Sequence, residues 1–402
     1  MTRIYPFRPY RYTAKAGPIE HLVTQPYDKI TPDKQARYLA LSPYNLVRII
    51  RGERFPADND RDNVYTRAAA FLQQWIASGI LAQDPEPCLY AYFQDFTVPD
   101  SGERLVRQGF IGLGPVEEYS AGIVHRHEQT LSGPKKDRQE LLRHTHAHFG
   151  QIFMLYPDRD LAIDRQLDAA RAAAPILEVT DEYGTVNRVS KITNPGPIQE
   201  LMADKKLLIA DGHHRYETAL AFRKENPNLS GADRVMMTFV NMYSPGLRIL
   251  ATHRVVRNAG HFDPAGLSST PLSGLDELKK IFSTPAPGRL RIGIVSKAGV
   301  RLYDRPRRPG ELDVGFLHEH ILRDVLGIGE EAVRDEQHLE YVRSLDTAYG
   351  RVQTGEAQVA FLLEPTLIEQ VADVAFSGGV MPQKSTDFYP KMLSGLTIYK
   401  VE

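Results

Sequence analysis

Two stretches of this 402-residue chain concentrate side chains able to hold a phosphate and move a proton. The first is Ala210-Asp211-Gly212-His213-His214-Arg215-Tyr216-Glu217. The apolar run KLLIA at 206–210 reads as a short strand and YETALAFRKE as a helix, so Asp211 to His214 fall on the turn between them. Such a turn aims unpaired backbone N–H groups and the positive end of the helix dipole at one point. Gly212 lets the main chain approach a bulky anion, because it carries no Cβ. Arg215 offers a guanidinium fork for phosphate oxygens, and His213 and His214 offer donors or a proton shuttle. Asp211 reads either as the cap of the helix or as a carboxylate holding a phosphate-bound metal.

The second stretch, His125-Arg126-His127-Glu128-Gln129-Thr130, packs two imidazoles, a guanidinium and a carboxylate into one short run. In an extended chain His125, His127 and Gln129 face one way and Arg126, Glu128 and Thr130 the other. Glu128 is the natural general base for a substrate hydroxyl, whereas a solvated hairpin end is the plain alternative. Lys135-Lys136-Asp137-Arg138 follows and opens a helix, where basic side chains can reach phosphates and Asp137 suits the N-terminus. Gln25-Pro26-Tyr27-Asp28 precedes the first helix. Tyr27 suits stacking on a base and Asp28 suits a polar substrate group, though turn chemistry explains both as well. Lys384, Ser385, Thr386 and Lys391 near the C-terminus combine positive charge with small hydroxyls, without a GxxxxGK[ST] loop. Arg254, beside His253, is a second candidate phosphate ligand or half of a buried ion pair. His144, His146 and His148 invite zinc, but only His144 and His148 share a helical face and no HExxH is present.

The elements that must carry these groups alternate in type. Helices are expected from Thr31-Pro32-Asp33, over 61–81, 135–149 and 160–174, and after Gly212; strands over 45–50, from Cys88, after the 99–102 turn, and over 151–156 and 236–243. A later hairpin (RLRIGIVSKAGVRLYD), a helix (HEHILRDVL) and a strand (AQVAFLL) complete a mixed α/β chain. A loop-rich stretch at 260–273 suggests two α/β regions, 1–260 and 261–402. Lys+Arg number 49 against 50 Asp+Glu, a formal net charge of −1, which argues against a protein that grips nucleic acid. The single cysteine, Cys88, excludes an intramolecular disulfide and Cys-cluster metal sites. No apolar run reaches the ~18 residues that span a bilayer, and MTRIYPFRPYRYTAKAG lacks a secretory core, so no membrane partner and a cytoplasmic location are expected. Oligomeric state is not readable from the chain.

DGHHRYETA at 211–219 resembles the nucleotide-binding box of the ParB/sulfiredoxin superfamily, including its free-serine-kinase branch, a short Gly-x-His/Arg-Arg turn opening a helix. QPYDKI (25–30), RHEQTLSGPKKDR (126–138), ADGHHRYETAL (210–220), THRVV (252–256) and MPQKSTDFYPKMLSGL (381–396) together resemble the DUF1015 family. The resemblance implies a ParB/sulfiredoxin-like nucleotide-binding core with additional α/β domains. It implies ATP or ADP with Mg²⁺ on the DGHHR turn, and phosphoryl transfer to the hydroxyl of free L-serine. On that reading Glu128, His214 and Asp211 are catalytic, and Asp211 also holds the metal. Gly212, His213, His214, Arg215, Arg138, Arg254, Lys384, Ser385, Thr386 and Lys391 bind nucleotide, and Tyr27, Asp28, His127 and Thr130 bind the amino acid. His213 stands where sulfiredoxins carry their catalytic cysteine, and no helix-turn-helix is evident, so thiol repair and DNA binding fall away. A nucleotide sensor without turnover and a histidine-based metallohydrolase are the competing readings.

Overall fold

The computed structural model describes residues 1–99, 101–128, 132–258 and 262–401. The chain divides into two compact units, Met1–Leu247 with Pro390–Glu402, and Arg248–Tyr389. The stretch at 260–273, taken from sequence as a boundary, lies inside the second unit. The last residues return to the first.

In the first unit the strands are β1 (Tyr10–Tyr12), β2 (Leu81–Gln83), β3 (Leu89–Thr97), β4 (Arg104–Pro115), β5 (Val124–His125), β6 (Ala147–His148), β7 (Ile152–Tyr156), β8 (Leu177–Thr180), β9 (Val186–Ile192), β10 (Leu207–Asp211), β11 (Arg234–Asn241) and, from the returning chain, β12 (Tyr399–Lys400). The helices are α1 (Pro32–Leu41), α2 (Val47–Ile50), α3 (Val64–Ala77), α4 (Ser132–Thr145), α5 (Ala162–Ala172), α6 (Gly196–Met202) and α7 (His213–Glu225). Eight strands form one sheet in the order β5-β10-β7-β11-β4-β3-β9-β8. Strand alternation sorts its two faces. Leu89, Ala91 and Phe93 join Phe110, Met154, Ile209, Tyr216 and Ala219 in the main core. Tyr90, Tyr92 and Gln94 therefore point to the other face. At one edge β5 runs parallel to β10, with Val124 opposite Leu207 and His125 opposite Leu208. The chain leaves both strands at the same end of the sheet, which brings residues 126–128 beside the 211–214 turn.

Local chemistry explains most element ends. Pro32 opens α1 and the Thr31 hydroxyl accepts from the Lys34 N–H, while Asn63 and Thr66 form a capping box at α3. Two expectations are overturned. Residues 45–50 form no strand but lead into the short helix α2, whose Val47, Ile49 and Ile50 are all buried; a short run buried all round carries no period to tell the two apart. The helix expected over 135–149 is α4, which stops at Thr145. His146 takes φ 48°, and His148 lies in β6 opposite Tyr399. His144 and His148 therefore do not share a helical face.

The second unit contains a six-stranded sheet in the order Thr270–Leu272, Gly299–Pro306, Arg289–Ser296, Val359–Leu363, His253–Val256, Leu339–Val342. Its first and last strands, Arg248–Leu250 and Asp387–Tyr389, pair antiparallel with Arg248 opposite Tyr389. Among the described residues no helix is long and apolar enough to cross a membrane.

Candidate functional site

Strand β10 ends on a bulge. Ile209 lies opposite Met154, the register then shifts, and Asp211 lies opposite Phe153. Strict alternation would leave Asp211 on the core face with Ile209. The extra residue instead turns it to the face that carries Phe153. Gly212 follows at φ 99° and ψ 26° and caps α7. An added Cβ there would lie 3.0 Å from both Nε and an Nη of Arg215, so the glycine gives the backbone its left-handed turn and the guanidinium its space.

Arg215 donates through Nη2 to Asp211 Oδ2 at 2.8 Å and through Nη1 to the Gln151 carbonyl. Lys391 Nζ lies 3.7 Å from Asp211 Oδ1. Burial opposes ionisation of Asp211, but Lys391, Arg215 and Lys29 outweigh it and hold the carboxyl well below the usual range. Asp211 is thus a carboxylate flanked by cations at the start of α7.

Two imidazoles back this cluster. His127 Nδ1 lies 2.9 Å from the Ile209 carbonyl. A carbonyl only accepts, so Nδ1 carries the proton and Nε2 the lone pair. The His127 and His213 rings meet edge to face with centroids 4.8 Å apart. Burial pushes His127 down to about 4. Burial, then the neighbouring His127, pushes His213 well below its ordinary value. Both are neutral near pH 7, and His213 Nε2 is buried with no partner among the described residues. His214 is also lowered, by burial against the opposing pull of Glu217 and Asp28. Glu128, next in chain to His127, is half-buried.

Around this centre Glu217 accepts from Arg126 at 3.2 Å and Lys135 at 3.1 Å, tying both basic residues to α7. Arg138 bonds Asp137 at 2.9 Å through Nε and lies 4.1 Å over the Tyr27 ring. Asp137 also accepts from Tyr65 at 2.9 Å and Arg54 at 2.7 Å, so it ties together a polar cluster; because α4 begins at Ser132, it lies in the second turn and not at the helix N-terminus as the sequence suggests. Burial raises the Tyr27 hydroxyl to about 12. Tyr27, Arg138, Gly150, Arg215 and Ser394 border a cavity of about 60 Å³ whose remaining wall is largely apolar. Asp28 is exposed, and Thr130 lies outside the described residues.

The structure therefore brings Asp211, Gly212, His213, Arg215, His127 and Lys391 together and sets Tyr27 and Arg138 at the cavity beside them. Arg254, Lys384, Ser385 and Thr386 belong to the second unit. There Arg254 bonds His318 at 3.2 Å and, from the strand His253–Val256, donates to the carbonyls of Gln383 at 3.2 Å and Lys384 at 3.1 Å, holding that distant loop. The expected magnesium role of Asp211 does not fit: one oxygen is taken by Arg215 and the other faces Lys391, and a dication would have to displace both. Among the described residues no group of three or more His, Cys, Asp or Glu side chains is placed to hold a metal ion. Sequence reasoning missed Lys29, the Gln151 carbonyl and Glu217. Lys29 lies in the QPYDKI block and Glu217 closes the first stretch, but nothing local pairs Glu217 with Arg126 and Lys135, which come from elsewhere in the chain.

A family model described as a protein of unknown function (DUF1015) matches residues 4–348. No curated protein matches the chain in sequence. Similar solved structures include a conserved hypothetical protein from Pyrococcus furiosus, 12% identical with a TM-score of 0.34, covering 68% of this chain and 91% of that one. A free serine kinase in complex with AMP is 12% identical with a TM-score of 0.39, over 70% and 88% of the two chains. SbnI with a C-terminal truncation, from Staphylococcus aureus, is 13% identical with a TM-score of 0.35, over 71% and 87%.

Proposed function

The chain belongs to the DUF1015 family, and from that premise we propose that its first unit is a small-molecule kinase, moving a phosphoryl group from ATP or ADP to a hydroxyl, with free L-serine the first candidate acceptor. One observation carries this reading. Arg215, Lys391 and the Gly212-headed start of α7 converge at Asp211, a grouping of cations and helix N–H groups suited to a phosphate.

In the proposed reaction the acceptor oxygen bonds to the terminal phosphorus as the bond from that phosphorus to its bridging oxygen breaks, and the hydroxyl proton passes to Glu128. Arg215, Lys391 and the first-turn N–H groups of α7 stabilise the charge spread over the phosphoryl and leaving oxygens. His127 and His213, held neutral by burial, contribute hydrogen bonding and no charge. Tyr27 and Asp28 are the proposed contacts for the amino acid.

The test is phosphoserine formation from ATP or ADP, with Glu128→Gln beside wild type. Turnover should fall by about 10²–10⁴ in that variant with nucleotide affinity kept. If nucleotide binds but no member of a panel of hydroxyl compounds is phosphorylated, a sensing role replaces catalysis.

A further inference from the structure

Lys391 reaches Asp211 from an irregular segment that contains no helix or strand to fix it. The segment is gripped instead from the sheet. Asn187 on β9, Gln94 on β3 and Arg107 on β4 are direct cross-strand partners, a polar row across three adjacent strands. Arg107 is 1% exposed. Its Nε donates to Gln94 Oε1 at 3.1 Å, and its Nη2 donates to the same oxygen and to the Pro390 carbonyl. With its oxygen committed to Arg107, the Gln94 amide nitrogen donates to Asn187 Oδ1 at 3.0 Å and to the Lys391 carbonyl at 3.0 Å. Asn187 Oδ1 also accepts from the Tyr92 hydroxyl at 2.7 Å. Turning the Gln94 amide over would set donor against donor, so the row has one orientation.

The guanidinium of Arg107 packs 4.7 Å from the Phe153 ring, the residue opposite Asp211 across the bulge. The two carbonyls it and Gln94 hold belong to consecutive residues, which fixes the backbone from which the Lys391 side chain departs. Burial lowers the Arg107 guanidinium to about 10, so it is still a cation near pH 7, and its bonds to the Gln94 oxygen and the Pro390 carbonyl are charge-assisted.

We propose that Arg107 and Gln94 are positioning residues for Lys391: by holding the carbonyls of Pro390 and Lys391 they set the Lys391 ammonium beside Asp211, where it meets an anionic ligand. The inference rests on the phosphate-binding reading of the site, and its test separates the two.

Pyrophosphate binding to the full chain is measured by calorimetry, below the unfolding transition, for Lys391→Met, Arg107→Met, Arg107→Lys, Gln94→Met and the two Met variants combined with Lys391→Met. Lys391→Met should bind about tenfold more weakly, the loss of one charge-assisted contact. Arg107→Met and Gln94→Met should each lose about fivefold or more alone and nothing further in the Lys391→Met background, since a generally loosened fold would weaken both backgrounds alike. Arg107→Lys, which keeps a buried cationic donor but not the fork, should recover part of the loss. Gln94→Met keeps the test alive if Arg107→Met does not fold. Wild-type affinity in both Arg107→Met and Gln94→Met, or losses that add to that of Lys391→Met, overturn the positioning role. Unchanged binding in Lys391→Met overturns the ligand role of that lysine instead.

Discussion

Gly212→Ala probes the turn and the guanidinium together. An L-residue at φ 99° costs roughly 1–2 kcal/mol. Its Cβ would stand 3.0 Å from Arg215 Nε, so the guanidinium must move by a few tenths of an ångström away from Asp211 and Gln151. Charged hydrogen bonds contribute about 1.5–3 kcal/mol each, and partial loss of one brings the expected destabilisation to about 2–3 kcal/mol. Gly150→Ala presses the same group at another nitrogen: its Cβ would lie 3.3 Å from Arg215 Nη1 and 3.0 Å from Ser394 Oγ, with no left-handed strain. Denaturant midpoints and pyrophosphate affinities of the two variants therefore carry different information. Gly212→Ala should be clearly the less stable, yet both should bind about 10–100-fold more weakly, because both displace Arg215. If Gly150→Ala binds as wild type while Gly212→Ala does not, the turn backbone holds the anion and the argument from Arg215 fails. If neither variant loses affinity, the anion does not bind here.

Other outcomes follow from the same geometry. Folded His127 and His148 are pushed down by burial to about 4, so on acidification the unfolded chain takes up protons first, near its ordinary ~6.5. Stability complete above pH 6.5 should drain away between 6.5 and 4, by about 2 kcal/mol per histidine at pH 5. Denaturant midpoints at pH 7 and 5 check this, with His148→Phe expected to lose less and a flat profile the contrary result. Asp211→Asn removes the counter-charge of two cations: the unfolding midpoint should fall while pyrophosphate affinity holds or rises, and a loss above about tenfold would show that the carboxylate itself serves the ligand. In the second unit, Arg254→Lys should destabilise by about 1–3 kcal/mol through loss of its fork on the Gln383 and Lys384 carbonyls. Lys384→Ala in the nucleotide-binding assay decides whether that loop reaches a phosphate.

What was legible in the chain was what local rules control. The strand–turn–helix at 207–225 and the hairpin of β3 and β4 lie where periodicity and turn residues put them, because each is settled within a dozen residues. Asp211, Arg215 and Lys391 each stood out as polar residues, but their pairing with one another did not. The bulge that re-aims Asp211 depends on pairing with β7, and the cation that flanks it arrives from Lys391, far away in the chain. Gln94 and Arg107 looked like ordinary members of alternating strands; their importance arises only when the register sets them opposite one another. His148 shows the reverse error, for a helical pattern extended past Thr145 ignored the pull of the returning Tyr399 strand.

The second unit enters and leaves through strands that pair with each other, Arg248 opposite Tyr389. A flexible insertion of about 140 residues between Leu247 and Pro390 would charge the first unit roughly 4 kcal/mol of loop-closure entropy for bringing Lys391 home. An insertion that folds with its own ends together removes most of that cost before the first unit closes. Lys391 follows the second unit in chain order, so a nascent chain stalled within that unit would carry Asp211 and Arg215 without Lys391. Ligand affinity would then report that the second unit had been made in full.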